Sequence, residues 1–127
     1  MKAVGYLTPQ TIDHNDALIN ITREKPDPAG RDLLIKVNAI SVNPVDIKIR
    51  LSASADDNQH KILGWDAVGE VVSVGDGVQN FKRGDHVYYA GDLTRSGSNA
   101  EFQLVDERIV GNKPKSLSNS EAAALPL

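Results

Sequence analysis

Short runs of alternating apolar and polar residues, each cut off by glycine or proline, restrict this chain more than any other feature. In residues 18–23, Ile19 and Ile21 face one way and Leu18, Asn20 and Thr22 the other. That period-two pattern marks a half-buried strand. Residues 2–7 open the chain in the same way. Residues 32–42 form the longest candidate, with Leu33, Leu34, Ile35, Val37, Ile40 and Val42. Further strands are predicted at 67–74, 86–90 and 100–105, with a short edge strand at 109–110. The punctuation between them is Pro26-Asp27-Pro28-Ala29-Gly30, Gly75-Asp76-Gly77 and Phe81-Lys82-Arg83-Gly84-Asp85. Proline fixes φ and removes a donor, and glycine admits positive φ, so both stop strands at tight turns.

Helix signals are few. Asn43 is placed to be an N-cap and Pro44 suits the first helical position, so residues 45–51 read as a short helix. Residues 52–61 are small and polar and read as a mobile surface loop. Ser118 and Glu121 fit a capping box ahead of Ala122-Ala123-Ala124-Leu125. A helix that stops so soon is expected to bury little apolar surface, and the natural protein is expected to continue.

At 127 residues the chain has material for one domain. Its net charge of −3 supplies no basic surplus for phosphates, so nucleic acid is not an expected partner. No apolar run approaches the roughly 20 residues of a membrane helix. The opening apolar run is too short for a signal peptide. With no cysteine there is neither a disulfide nor a thiolate metal site, and a reducing, cytoplasmic setting is expected. Pattern and composition together predict a small, partly open β-barrel or a two-sheet fold.

The string Gly64-Trp65-Asp66-Ala67-Val68-Gly69, then five residues, Gly75, two residues and Val78, is more specific. It resembles the signature G-H-E-x-x-G-x(5)-[GA]-x-x-[IVSAC] of the medium-chain dehydrogenase/reductase superfamily, except at the H-E pair. Val37 to Asp46 is similar to the strand that leads into that family's N-P-x-D turn. Phe81-Lys82-Arg83-Gly84-Asp85-His86-Val87, Ala100-Glu101-Phe102 and Glu121 to Pro126 resemble further family motifs, in family order. The resemblance covers essentially the whole chain. It implies a mostly β, GroES-like, partly open β-barrel with a few short helices over residues 1–127. This would be the substrate-side domain, with an NAD(P)-binding Rossmann domain expected downstream and absent from this chain.

Zinc relatives carry Cys at the position matched by Asn43 and His-Glu at those matched by Trp65-Asp66. Indole and carboxamide are not usual zinc ligands. His14, His60 and His86 match no ligand position and read as surface or structural residues. No zinc is therefore expected, and the resemblance points to the zinc-free branch of quinone oxidoreductases and zeta-crystallin-like reductases. It implies hydride transfer from NADPH to a small quinone or α,β-unsaturated carbonyl, by a protein that forms a homodimer at full length.

The implied site residues are Asn43, Asp46 and Trp65, with Asn43, Pro44 and Val45 beside the cofactor. Each has a plainer reading. The Asn43 amide can donate to a carbonyl or bond the cofactor, or Asn43 is only an N-cap. Asp46 is either a site residue or a first-turn carboxylate favoured by the helix dipole. Trp65 is either a flat wall for a quinone or an enone, or core. Lys48 and Arg50 read as a solvated helix face, and Tyr88 and Tyr89 as barrel residues. Gly75-x-Gly77 lacks the third glycine of a dinucleotide fingerprint. The alternative functions are a non-enzymatic GroES-like binding or scaffold module, and a metal-free relative of zinc alcohol dehydrogenase.

Overall fold

The computed structural model describes residues 1–127. Eight strands form two sheets: β1 (Lys2–Tyr6), β2 (Ile19–Thr22), β3 (Asp32–Ser41), β4 (Lys61–Ile62), β5 (Asp66–Val74), β6 (His86–Tyr89), β7 (Phe102–Asp106) and β8 (Val110–Asn112). Two helices interrupt them, α1 (Pro44–Ser52) and α2 (Asn119–Ala123). The small sheet runs β2-β1-β4 and the large one β7-β3-β5-β6-β8. All pairings are antiparallel. The sheets do not close on each other. An Ala3–Ala100 bridge and a Val4 N–H to Asn99 C=O bond of 2.9 Å tie the small sheet to the segment entering β7. This is the partly open barrel that the alternating runs predict.

The expected strands are present with ends moved by a residue or two, as is usual where ends fray. One differs in kind. Ile109 belongs to a 3-10 turn over Glu107–Ile109 and not to an edge strand, and β8 begins only at Val110. Asp106 caps that turn by accepting from Arg108 N–H at 2.8 Å.

The main core lies in the large sheet. Leu33, Ile35, Ala67, Val71, Val87, Tyr89 and Val105 make one buried cluster. β3 and β5 pack closely enough that Gly69 is required. A Cβ there would stand 2.3 Å from the Lys36 carbonyl oxygen and 2.5 Å from Ile35 Cγ2. Gly64 takes φ +108, and a Cβ would meet Ser98 Oγ at 2.4 Å. This glycine lets the loop before β7 lie against the entry to β5.

α2 departs from expectation. Ala122 and Ala123 are completely or almost completely buried against Val68, with Ala39, Tyr88 and Leu117 around them. Methyl side chains let the helix backbone approach the sheet, so one short turn suffices. Its capping box is formed: Ser118 Oγ accepts from Glu121 N–H at 3.2 Å, and the Glu121 carboxylate accepts from Ser118 N–H at 2.8 Å.

Candidate active site

The end of β3, the start of α1 and the start of β5 meet at one corner. β3 pairs with β5 up to Ser41 opposite Asp66. Two residues on, Asn43 is extended (φ −124, ψ 165) and Pro44 begins α1. Pairing therefore carries the residues matched by the family's two ligand positions to the same place, although about 20 residues separate them in sequence.

Asn43 is half-buried and held from two sides. Its main-chain N–H donates to the Asp46 carboxylate at 2.9 Å. Its side-chain Nδ2 donates to Asp66 Oδ2, also at 2.9 Å. The pair has the outline of a capping box. The Asp46 N–H in return faces the Asn43 side chain and bonds the Asn43 main-chain carbonyl at 3.0 Å. Asn43 is thus N-cap by position, while its carboxamide nitrogen serves Asp66. Asp46 is buried at 6% exposure, and the bond it makes is the one a first-turn carboxylate makes. Pro44 is exposed and Val45 half-buried beside it.

Trp65 retains only 2% of its surface. It packs with Tyr6 and Leu63, and Leu18, Val45 and Ile49 lie against that cluster. The sequence reading offers a wall or a core position, and the structure places the ring inside the chain. Its Nε1 has no hydrogen-bond partner there. Tyr6 seals the far end of α1, donating to the Ala53 carbonyl at 2.7 Å with the Ile49 carbonyl at 3.1 Å. These are carbonyls that a helix end leaves open. Burial pushes the Tyr6 phenol up, and nearby Arg50 opposes that.

Sequence reasoning missed two members. Asp66 is 1% exposed and contacts Asn43, and its Oδ1 has no partner. The signal was there, since it stands at the second mismatched position of the signature. Arg50 corrects the expected solvated helix face: it is 8% exposed and donates to the Gln10 carbonyl at 2.6 Å. The Gln10 main chain reaches that face of α1 from 40 residues away, which helical periodicity does not reveal. Lys48 is exposed, as expected. His14 and His86 are exposed and His60 half-buried, none of them at this corner. No group of three His, Asp or Glu side chains converges here or elsewhere in the chain.

The donor set does not fit a zinc ion. The Trp65 indole N–H has no free lone pair, and the Asn43 nitrogen is spent as a donor. At the matched positions Asp66 alone offers a carboxylate, and its Oδ2 already accepts from Asn43 and, at 3.3 Å, from Leu127 N–H, while the neighbouring Asp46 carboxylate is taken by the Asn43 main-chain N–H at 2.9 Å. Asn43 stands on a turn between exposed Val42 and Pro44, the face of this corner open to a nicotinamide cofactor.

Residues 29–115 match the family model of the alcohol dehydrogenase GroES-like domain. Over its full length the chain is 41% identical to a zinc-type alcohol dehydrogenase-like protein of Staphylococcus epidermidis (strain ATCC 12228 / FDA PCI 1200), covering 37% of it. It is 39% identical to a 2-methylene-furan-3-one reductase of Solanum lycopersicum, covering all of this chain and 34% of that protein. Among solved structures it superposes on a provisionally named zinc-dependent alcohol dehydrogenase protein of Rhizobium etli CFN 42 with a TM-score of 0.97 and 55% identity, covering 100% of this chain and 37% of that one. A quinone oxidoreductase of Escherichia coli complexed with NADPH superposes at 0.83 with 25% identity, over 98% of this chain and 37% of that one. The chain thus spans a little over a third of the length of these relatives.

Proposed function

The chain belongs to the alcohol dehydrogenase GroES-like family of the medium-chain dehydrogenase/reductase superfamily, and on that premise we propose that it is the substrate-side domain of a zinc-free oxidoreductase reducing a quinone or an α,β-unsaturated carbonyl with NADPH. One observation carries the reading. Where zinc relatives place metal ligands, this chain has a carboxamide bonded to a buried carboxylate and a buried indole. The 55% identical protein is named zinc-dependent, but a name does not supply lone pairs, and these side chains offer one carboxylate.

When bound, the cofactor supplies the hydride. This chain's residues are left to bind and orient. Asn43, with Pro44 and Val45, forms the rigid turn against which the nicotinamide end would rest. Trp65 supports that turn from beneath, and Asp46 fixes its main chain. Held geometry of this kind is where a hydride-transfer enzyme gains most from its protein. The chain has no G-x-G-x-x-G turn for the phosphates. That task falls to the Rossmann domain we place downstream. The NADPH-bound quinone oxidoreductase and the furanone reductase among the relatives support the cofactor and the acceptor class. A cytoplasmic homodimer is the assembly we expect, and no helix is long and apolar enough to cross a membrane.

The test is NADPH oxidation by the full-length protein with a small quinone and an enone, beside elemental analysis. The expected result is turnover without stoichiometric zinc. One tightly held zinc per chain would overturn the zinc-free reading. Failure to bind NADPH at all would favour a binding or scaffold module.

A further inference from the structure

Away from the corner, the end of β2, the loop before β7 and the start of β7 border an open recess of two joined hollows, about 150 and 200 Å3 in volume. Arg23, Arg95 and Ser96 line both. None of Asn43, Asp46, Trp65 or Asp66 lines either one, so the recess is separate from the candidate active site. Its walls are fixed. Arg95 grips the Asp32 carboxylate with two bonds, of 2.8 and 2.7 Å. Gln103 Nε2 holds the Ser96 carbonyl at 3.1 Å, and Gly97 N–H donates to the Ile62 carbonyl at 2.9 Å.

Arg23 stands out among these residues. It is half-buried, yet none of the chain's ion pairs includes it. Its Nη2 donates to the His60 carbonyl at 2.6 Å, which anchors the guanidinium on one side. A guanidinium has five N–H donors and no acceptor, so donors remain for a ligand. A carboxylate arriving there meets a held, planar fork. The first hollow adds apolar surface from Phe102, Leu104 and Pro26. Its volume is on the scale of the roughly 150 Å3 that admits a benzene ring. Charge selects further. Lys61 lines the second hollow, and the Lys25 ammonium stands 4.4 Å from the centre of the Phe102 ring. Asp32 is spent on Arg95, which leaves the exposed Glu24 and Asp56 as the acids of the lining. The recess is therefore slightly positive in a chain of net charge −3. That balance suits a single negative charge, whereas a phosphate dianion meets more repulsion from the two carboxylates.

We propose that this recess is a second ligand site, for a small aryl carboxylate: the ring lies on Phe102 in the first hollow, and the carboxylate meets Arg23 where the two hollows join. The site depends on neither the cofactor nor the acceptor proposed above.

The test is calorimetric titration of the full-length protein at low salt with benzoate, benzyl alcohol and inorganic phosphate. Benzoate is expected to bind once per chain, about tenfold or more tightly than either of the others, the size of one charge-assisted bond. Arg23→Gln is expected to weaken benzoate by the same factor at an unchanged melting temperature. No benzoate binding, or binding that persists undiminished in Arg23→Gln, overturns the site. Phosphate bound as tightly as benzoate overturns the aryl part of the proposal, and benzyl alcohol bound as tightly overturns the part of Arg23. Should Arg23→Gln not fold, nuclear Overhauser contacts in the unaltered protein decide: contacts between the benzoate ring and the Phe102 ring support the site, and bound benzoate without them overturns it.

Discussion

In the large sheet, Leu33, Ile35, Val71 and Val87 are fully buried, and the polar pair inside it is satisfied: Tyr89 Oη donates to Gln103 Oε1 at 2.8 Å, and Gln103 Nε2 donates to the Ser96 carbonyl at 3.1 Å. In the corner beneath α1, Trp65 and Tyr6 are buried just as deeply, but polar groups are left over. Trp65 Nε1, Asp66 Oδ1, Ser98 Oγ and Asn99 Oδ1 are buried without a partner, and all four lie on two segments that meet at Gly64. Buried polar atoms are normally paired, and unpaired ones gather where structure serves something other than stability. The difference teaches that the sheet is the scaffold. The corner is where this fold tolerates buried polarity.

The largest effect is expected from Trp65→Ala. If the corner has a true core, removing the indole destabilises by about 3–5 kcal/mol, read from denaturant unfolding of the 127-residue chain. A loss under about 1 kcal/mol would return Trp65 to the role of an exposed wall and break the comparison.

Gly69→Ala probes the sheet in the opposite sense, by adding volume. The new methyl group would collide with the Lys36 carbonyl, and the β3–β5 ladder resists separation. Overpacking of about 1–3 kcal/mol is expected, visible as a lower melting temperature.

Tyr89→Phe removes a satisfied buried bond and strands Gln103 Oε1. A loss of about 1–2 kcal/mol in unfolding free energy is expected. Equal stability would mean that the sheet's polar pair matters no more than the corner's orphans.

Glu107 extends the comparison to pH. Burial pushes its carboxyl up, but the N–H groups of Asn80 and Gln79 and the Arg31 guanidinium outweigh that, so it titrates below its ordinary value. The stability it contributes is complete above the ordinary value of about 4.3 and is lost as pH falls through the lower folded value. Glu107→Gln is expected to flatten that acid limb in melts recorded from pH 6 downward.

Ser98→Ala should do least. Its hydroxyl has no partner to lose, so unfolding free energy is expected to change by less than about 0.5 kcal/mol, or to rise slightly. A loss as large as that from Tyr89→Phe would reveal a bond at Ser98 and erase the contrast between the two regions.

The strands were legible because each follows from a local rule. Alternation in residues 18–23 and 32–42, and turns at Gly75-Asp76-Gly77 and Phe81 to Asp85, need no distant partner. In the second turn Lys82 N–H donates to the Asp85 carboxylate at 2.9 Å, the side-chain acceptor that the sequence announces. The N-cap at Asn43 and the capping box at Ser118 were readable for the same reason. Gly64, Gly69 and Gly75 declared close approaches, though not what approaches them. Asp66 and Arg50 were misjudged because their burial comes from segments far away in sequence.

By itself, then, the sequence determined the β-rich, glycine-punctuated fold, the start of α1 at Pro44, and the mismatch at the metal-ligand positions. Those are properties of neighbours along the chain. Only the tertiary structure decided that the Asn43 side-chain nitrogen meets Asp66, that Trp65 lies beneath the surface, and that Arg50 is buried against the Gln10 carbonyl. The reason is physical. A planar amide or a long side chain has several equivalent local choices, and the choice is made by whichever acceptor or apolar wall the folded chain brings within about 3–4 Å.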